Sequence, residues 1–322
     1  MNKNVISRRG FLGRAATGVA VVPALKAMTS GEVIASSLSG PMPMRTLGKT
    51  GLEVSVLSFG GGSQFLKNKD GDWEPLLERA IELGVNYFDN SSNYQWGAKM
   101  TSEERFGEIL PRYRKDILIC TKFDSREPAE AMREVETSLK RMKIDYFDVL
   151  MMHSIEPSED LAALEKGVYK QLLRLKEEGV TRFIGFSSMN SAPRSKELIE
   201  KLDVDVAILA MNPTKYGNFA KVALPAARKK DVGTIAMKVI RDLLGNGTSP
   251  AELIQYALTR DGVASAVIGH YGMDVLEENI SLVKQLGTDR KAAFDHRGLE
   301  NRLAHLAGPH ALCWARPEYR DC

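Results

Sequence analysis

The chain has 322 residues, 43% of them hydrophobic, with 44 Lys and Arg against 41 Asp and Glu for a net charge of +3. That is enough apolar material for one large core, and the mixed charges, with no basic block, give no reason to expect a nucleic-acid partner. Three cysteines, Cys120, Cys313 and Cys322, make no disulfide framework, and no CxxC or HxxxH spacing suggests a metal site. Cys120 sits inside an apolar run and reads as inert core, whereas Cys313 and Cys322 read either as a pair or as two separate thiols in a tail.

The first 40 residues read as an address. Ser7-Arg8-Arg9-Gly10-Phe11-Leu12-Gly13 resembles the twin-arginine export motif S-R-R-x-F-L-K without its final lysine. An apolar run over 15–25 follows, too short to span a bilayer, which takes roughly 20 residues. Small residues come next, with 33–35 as one candidate cleavage point. The resemblance implies a signal peptide read by the twin-arginine machinery and export of the folded protein to the periplasm or another extracytoplasmic site, with no stable membrane insertion once the peptide is removed. The plainer alternative is an unstructured basic tail. No later stretch is apolar enough to cross a membrane.

From Met44 onward short apolar runs alternate with longer amphipathic ones. The strand candidates are 54–59, 85–89, 117–121, 147–151, 183–186, 206–210, 233–237 and 264–268. Between them the apolar positions recur at helical spacing over 73–83, 129–139, 161–178, 195–202, 220–230, 251–260 and 275–286. Gly84, Gly179 and Gly262 stand where helices end, and Pro250 suits a first helical turn. Eight strand–helix alternations predict an α/β fold, a (β/α)8 TIM barrel over 41–287. The segment 44–52, with its Gly48 and Gly51, reads as a β-hairpin plugging the bottom of that barrel. Residues 288–322 read as a C-terminal extension, helical over 291–306 and irregular beyond. An open doubly wound sheet is the alternative, but the first strand runs into Gly60-Gly61-Gly62-Ser63, which lacks the GxGxxG spacing.

In such a barrel all strand C-termini open onto one face. Asp89 ends the second strand and Tyr94 follows five residues later. Lys122 closes the third strand, His153 the fourth, and Ser187-Ser188 the fifth. A buried lysine beside an aspartate can stay charged, and a lysinium beside a phenol favours the phenolate. A phenol tuned that way can give a proton to a developing alkoxide, and a neutral imidazole alongside can hydrogen-bond the same oxygen. The set suits reduction of a carbonyl. Since no side chain donates hydride, a nicotinamide cofactor is implied. Each residue alone would read as an ordinary loop, cap or core residue. Four of them at matching ends of three consecutive strands argue otherwise.

At this point the sequence resembles the aldo-keto reductase family over roughly 44–285. Residues 44–55 resemble its opening hairpin, and 84–94 its G-x-x-x-x-D-x-x-x-x-Y signature. Glu103, Glu104 and Gly107 resemble its S-E-x-x-x-G segment; Thr121-Lys122, 148–153 and 184–187 resemble its lysine, histidine and I-G-x-S motifs. The resemblance implies Tyr94 as general acid, Asp89 and Lys122 tuning it, and His153 orienting a small carbonyl substrate. It implies Ser187 and Ser188 on the nicotinamide carboxamide, Glu278 and Asn279 near the adenine, and NADP(H) as the common cofactor, with NAD(H) possible.

Several positions depart from the family pattern. Met237 stands where many members carry an aromatic against the nicotinamide, and Lys238 and Arg241 would then reach the pyrophosphate. Gly269 and Val275 stand where members selective for NADPH carry cations, leaving His270 as the nearby candidate. Asn212 replaces a frequent glutamine. Trp96 reads as a wall of the substrate pocket and Trp73 as helix core, with specificity expected from 64–72, 95–100, the turn after Asn212 and the tail. Two tail cysteines are too few for an iron–sulfur cluster. The competing function is a cofactor-binding sensory or regulatory protein with little turnover. A metal-dependent hydrolase or isomerase is disfavoured, since no His and carboxylate cluster marks the strand ends.

Overall fold

The computed structural model describes residues 38–287 and 293–320, so the expected export signal and Cys322 lie outside the described residues. A hairpin of β1 (Met44–Thr46) and β2 (Glu53–Ser55) leads the chain. Then come β3 (Leu57–Gly60), β4 (Tyr87–Asp89), β5 (Leu118–Phe123), β6 (Phe147–Met152), β7 (Thr181–Ser188), β8 (Val206–Ala210), β9 (Gly233–Met237) and β10 (Val263–Ile268). These eight close into a parallel barrel in which β10 pairs with β3. Every residue of β6, β8 and β9 is buried, because strands lined by core on one side and helices on the other read as continuous apolar runs.

The run expected as one strand over 54–59 is two. The Asn86 side chain accepts from Ser55 N at 2.8 Å and donates to Glu53 O at 2.8 Å, so those backbone groups serve the hairpin, not the barrel ladder. The chain turns at Val56 and enters β3. Apolar residues fill both pieces, so hydrophobicity alone does not show the break.

The hairpin closes the bottom of the barrel. Lys49 N donates to Asp231 O at 2.7 Å, and Arg45 Nη1 donates to Leu258 O at 2.8 Å and Val263 O at 3.1 Å, all at or before the N-terminal ends of β9 and β10. Fully buried Leu47 sits against Gly233, where an added Cβ would lie 2.5 Å from Leu47 Cγ.

The helices largely follow the apolar spacing, but the expected run over 220–230 is divided into Phe219–Val222 and Leu224–Lys229, and three further departures stand out. Trp73–Glu82 buries Trp73, Leu76, Leu77 and Ala80 on one face and ends before Gly84, whose φ of +95° a side chain would oppose. The expected helix over 161–178 is interrupted by a π turn, Glu165–Tyr169, where Gly167 leaves helical geometry. The helix Ser102–Ile109 was not anticipated from the sequence. It carries its own signal, a capping box in which Thr101 and Glu104 satisfy each other's backbone N–H. In the tail the helix is His296–Leu303, shorter than expected. Beyond it the chain is packed: Leu312 and Trp314 are fully buried, and Trp314 meets Tyr216 edge-on at 5.2 Å.

Gly107 sets the distance between Ser102–Ile109 and the helix Pro128–Met142. A Cβ at Gly107 would lie 2.0 Å from Arg141 O, a backbone atom that cannot step aside alone. Gly107→Ala is therefore expected to destabilise the fold by about 1–3 kcal/mol. The urea midpoint measures it, and an unchanged midpoint would show that the two helices separate freely.

Candidate active site

The barrel gathers its polar side chains at the C-terminal ends of the strands. Asp89 is the last residue of β4, Lys122 the penultimate residue of β5, and His153 follows β6 directly. All three are almost completely buried, with Tyr94 6% exposed. Lys122 Nζ donates to Asp89 Oδ2 at 2.8 Å and to Asn90 O at 2.6 Å. The cation lies 5.3 Å from the centroid of the Tyr94 ring. Tyr94 OH and His153 Nε2 are 3.5 Å apart.

Local backbone bonds hold these groups. After β4 the chain stays on β5: Asn90 N donates to Cys120 O, and Ser92 N to Lys122 O. Tyr94 N donates to Ser91 O, and Ser102 N, opening its helix, donates to Tyr94 O at 2.9 Å. The four residues between Asp89 and Tyr94 thus form a loop anchored at both ends. His153 is held from behind by a network the sequence did not reveal. Its Nδ1 lies 2.9 Å from Asp124 Oδ1 and 3.1 Å from Ser91 Oγ, while Arg126 Nη2 donates to His153 O at 2.6 Å. Asp124 and Arg126 sit in an ordinary-looking loop with no motif to mark them. Chemically, the arrangement places a phenol, an imidazole and a compensated ammonium around one point, as transfer of a proton to or from a carbonyl oxygen requires.

A cavity of about 710 Å³ starts at this cluster and runs outward. Asp89, Tyr94, Lys122, His153 and Ser187 line its inner end, and Met237, Lys238, Arg241, Gly269, Glu278 and Asn279 line the rest. Its rim is partly apolar, with Leu244, Tyr271 and Val275 all exposed. The lining suits a nucleotide cofactor: Gly60, Gly62 and Gly269 add no side chain to it, Lys238 and Arg241 supply cations for phosphates, and Leu244, Tyr271 and Val275 offer apolar surface to a base. Lys238 and Asp242 hold left-handed φ values of +55° and +65°, a strain that non-glycine residues adopt where a site demands it.

Four expectations meet a different arrangement. Ser188 does not line the cavity; its Oγ donates to Ile155 O at 3.0 Å. Asn212 lies off it too, its Oδ1 accepting from Thr214 N and Oγ1 to shape the next turn. Trp96 is not on the lining either; its ring leans on Tyr94 with centroids 4.9 Å apart, buttressing the phenol from outside. His270, the remaining candidate cation for a second phosphate, is completely buried beside Phe59, with rings 5.4 Å apart and neither nitrogen hydrogen-bonded, and burial lowers its pKa to about 3. It is a neutral core residue. Cys120 is also buried, and burial raises its thiol pKa, in keeping with an inert role.

Four contacts around the loop after β9 carry no sequence signal. Arg241 Nη1 donates to Ser63 Oγ at 3.1 Å, bridging the loops after β9 and β3. From the tail, Tyr319 lays its ring against both Lys238 Nζ (5.2 Å) and Arg241 Cζ (5.4 Å), and Cys313 N donates to Asp242 Oδ2 at 2.8 Å. The tail thus backs the loop that carries both cations. Among the described residues no group of His, Cys, Asp and Glu could hold a metal ion, and no helix is long and apolar enough to cross a membrane.

Comparison with known proteins agrees with this geometry. Residues 56–246 match the sequence model of the Aldo/keto reductase family. The chain is 26% identical to the L-galactose dehydrogenase of Arabidopsis thaliana, over 84% of this chain and 98% of that protein. It is 27% identical to the uncharacterized oxidoreductase YqkF of Bacillus subtilis, over 74% and 90%. A solved aldo-keto reductase from Bacillus halodurans shares the fold with a TM-score of 0.64 at 21% identity, covering 83% of this chain and 96% of that one.

The buried His270 gives an acid-sensitive fold. Unfolded, its imidazole takes up a proton below the usual pKa of about 6.5; folded, it stays neutral until about 3. Above the unfolded value it contributes no pH dependence. Between the two values the unfolded state binds the extra proton, so stability falls as pH falls, by at most about 1.4 kcal/mol per pH unit. His270→Phe, which keeps a ring against Phe59, should flatten that part of the stability curve. Denaturation at pH 7.5, 5.5 and 4.5 tests this, and equal slopes for both proteins would refute it.

Proposed function

The chain belongs to the Aldo/keto reductase family, an oxidoreductase family, and from that premise we propose that it reduces an aldehyde or ketone to the alcohol, reversibly, with NAD(P)H and with Tyr94 as general acid. The observation that carries this reading is the meeting of Tyr94, His153 and the Lys122–Asp89 pair at the inner end of one long cavity. A nicotinamide dinucleotide supplies the hydride when bound. Met237, Lys238, Arg241, Gly269, Glu278 and Asn279, with Ser187 at the inner end, would hold it. NADP(H) is the cofactor the family resemblance favours. The uncharged Gly269 and Val275 and the neutral His270 leave NAD(H) as a working substitute.

The side chains do the rest. Tyr94 hands its phenolic proton to the carbonyl oxygen as negative charge develops there. Lys122, kept charged by Asp89, stabilises the phenolate left behind. His153 meets the same oxygen and orients the carbonyl. Burial of all four groups excludes bulk water and strengthens these interactions. The substrate is a small carbonyl compound, and the naming of one relative for L-galactose places aldoses among the first to try.

Purified protein should oxidise NADPH or NADH when offered a panel of small aldehydes and aldoses. Tyr94→Phe should lower kcat by at least about 100-fold, the range of a lost general acid, while dinucleotide binding persists. A Tyr94→Phe enzyme of undiminished kcat would remove the assigned role. Tight dinucleotide binding with no turnover on any carbonyl would favour a sensory protein instead.

The twin-arginine resemblance supports a second part of the proposal, export of the folded protein to an extracytoplasmic site. A reporter joined to residues 1–40 should be exported, and Arg8→Lys combined with Arg9→Lys should retain it in the cytoplasm. Export of the doubly changed fusion through the same route would refute the assignment.

A further inference from the structure

The network behind His153 decides which of its nitrogens carries a proton. An ionised carboxylate only accepts hydrogen bonds, and Asp124 Oδ1 stands 2.9 Å from His153 Nδ1. Ser91 Oγ, 3.1 Å from the same nitrogen, has Lys122 O at 3.4 Å as an acceptor for its own hydrogen, which leaves its lone pairs available to the ring. The carboxylate calls for Nδ1–H, and the hydroxyl is compatible with it. A neutral ring would then present a bare lone pair at Nε2, facing Tyr94 and the carbonyl oxygen. Such a ring would compete for the phenol's proton and repel the carbonyl oxygen. A charged ring presents Nε2–H to both.

The surrounding charges favour the charged ring. Lys122 opposes it, but its Nζ is matched by Asp89 Oδ2 at 2.8 Å. Arg126, at the His153 carbonyl, is matched by Glu159 through two bonds of 3.0 and 2.8 Å. The loop is built to keep Asp124 in place. Glu134 accepts from Asp124 N at 2.8 Å, Ser125 N at 3.0 Å and Ser92 Oγ at 2.7 Å, and Arg126 Nη1 donates to Asp124 O at 2.8 Å. Arg126 thus grips the backbones of the carboxylate and of the imidazole at once.

We infer that Asp124 is a positioning residue that fixes a proton on Nδ1 of His153 and holds the ring charged, so that Nε2–H serves as donor toward Tyr94 and the substrate oxygen. This rests on reading Tyr94 as the acid of a carbonyl reduction, and it revises the neutral imidazole expected from the sequence. The relay moves protons only. Tyr94 O–H gives its proton to the carbonyl oxygen, and Nε2–H replaces it on the Tyr94 oxygen. The ring becomes neutral, keeping Nδ1–H on Asp124. Once the alcohol has left, solvent in the cavity that Tyr94 and His153 line returns one proton to Nε2.

The test is nitrogen-15 NMR of the histidine rings in the full chain, with His153 assigned from the signal lost in His153→Gln. The expected result is a proton on Nδ1 and a charged ring persisting above the ordinary midpoint of about 6.5, with Asp124→Asn lowering that midpoint by about one pH unit or more. Reduction kcat in Asp124→Asn should fall at least about tenfold, with KM for the carbonyl moving less than about threefold, because the residue acts on proton transfer and not on binding. Asp124→Glu should restore part of the midpoint and of kcat. If Asp124→Asn fails to fold, the wild-type ring state and the Asp124→Glu midpoint decide. A neutral His153 with its proton on Nε2, or a midpoint unmoved by both substitutions, overturns the inference. Should the ring behave as expected in a protein that turns over no carbonyl, the positioning role stands and the reductase reading fails.

Discussion

Everything at the mouth of this barrel depends on one buried ion pair, Lys122 with Asp89. Taking either charge out of water alone would cost several kcal/mol, and mutual attraction offsets that only when geometry is good and remaining donors are satisfied. Both conditions hold: 2.8 Å to the carboxylate and 2.6 Å to Asn90 O. Neighbouring parallel strands in a fixed register supply that geometry, with Asp89 opposite Cys120 and Lys122 two residues further along β5. The pair adds little to net stability. What it provides is an ammonium group held in a buried place, 5.3 Å from the centroid of the Tyr94 ring.

The strands and the chemistry they carry were legible because the barrel repeats one rule eight times: an apolar run, then polar residues at its end. That rule located Asp89, Lys122, His153 and Ser187. It did less well wherever tertiary contacts decided the outcome. The break at Val56 depends on the Asn86 side chain, thirty residues away, and the π turn at Gly167 interrupts an apolar pattern that reads as one helix. Ser102–Ile109 could have been found from its capping box. Ser188 and Asn212 were judged from motif position, yet a side chain's direction follows from nearby donors and acceptors that spacing does not encode. His270 shows the same limit from the other side: a histidine reads as a possible cation until burial makes the charged form inaccessible.

The cavity divides into an inner end built on strands and an outer end built on loops. The inner end is held by backbone ladders and paired charges, so its geometry is set by the barrel. The outer end draws on distant pieces of chain, with Ser63 tied to Arg241 and Tyr319 stacked on Lys238 and Arg241. The final described residues are thus structural partners of the loop after β9, which lines the outer end of the cavity. Asp124 belongs to neither end. It stands behind the imidazole, at Nδ1, away from the nitrogen that faces Tyr94.

The residues just before the hairpin are tied to the bottom of the barrel. Leu38 accepts from Lys284 near the C-terminal end of its helix, and Met42 packs beside Gly84, both on the face opposite the mouth. The described chain therefore enters the barrel from the face opposite the candidate site, so a change at residues 38–42 meets helix ends and the hairpin, not the lining of the cavity.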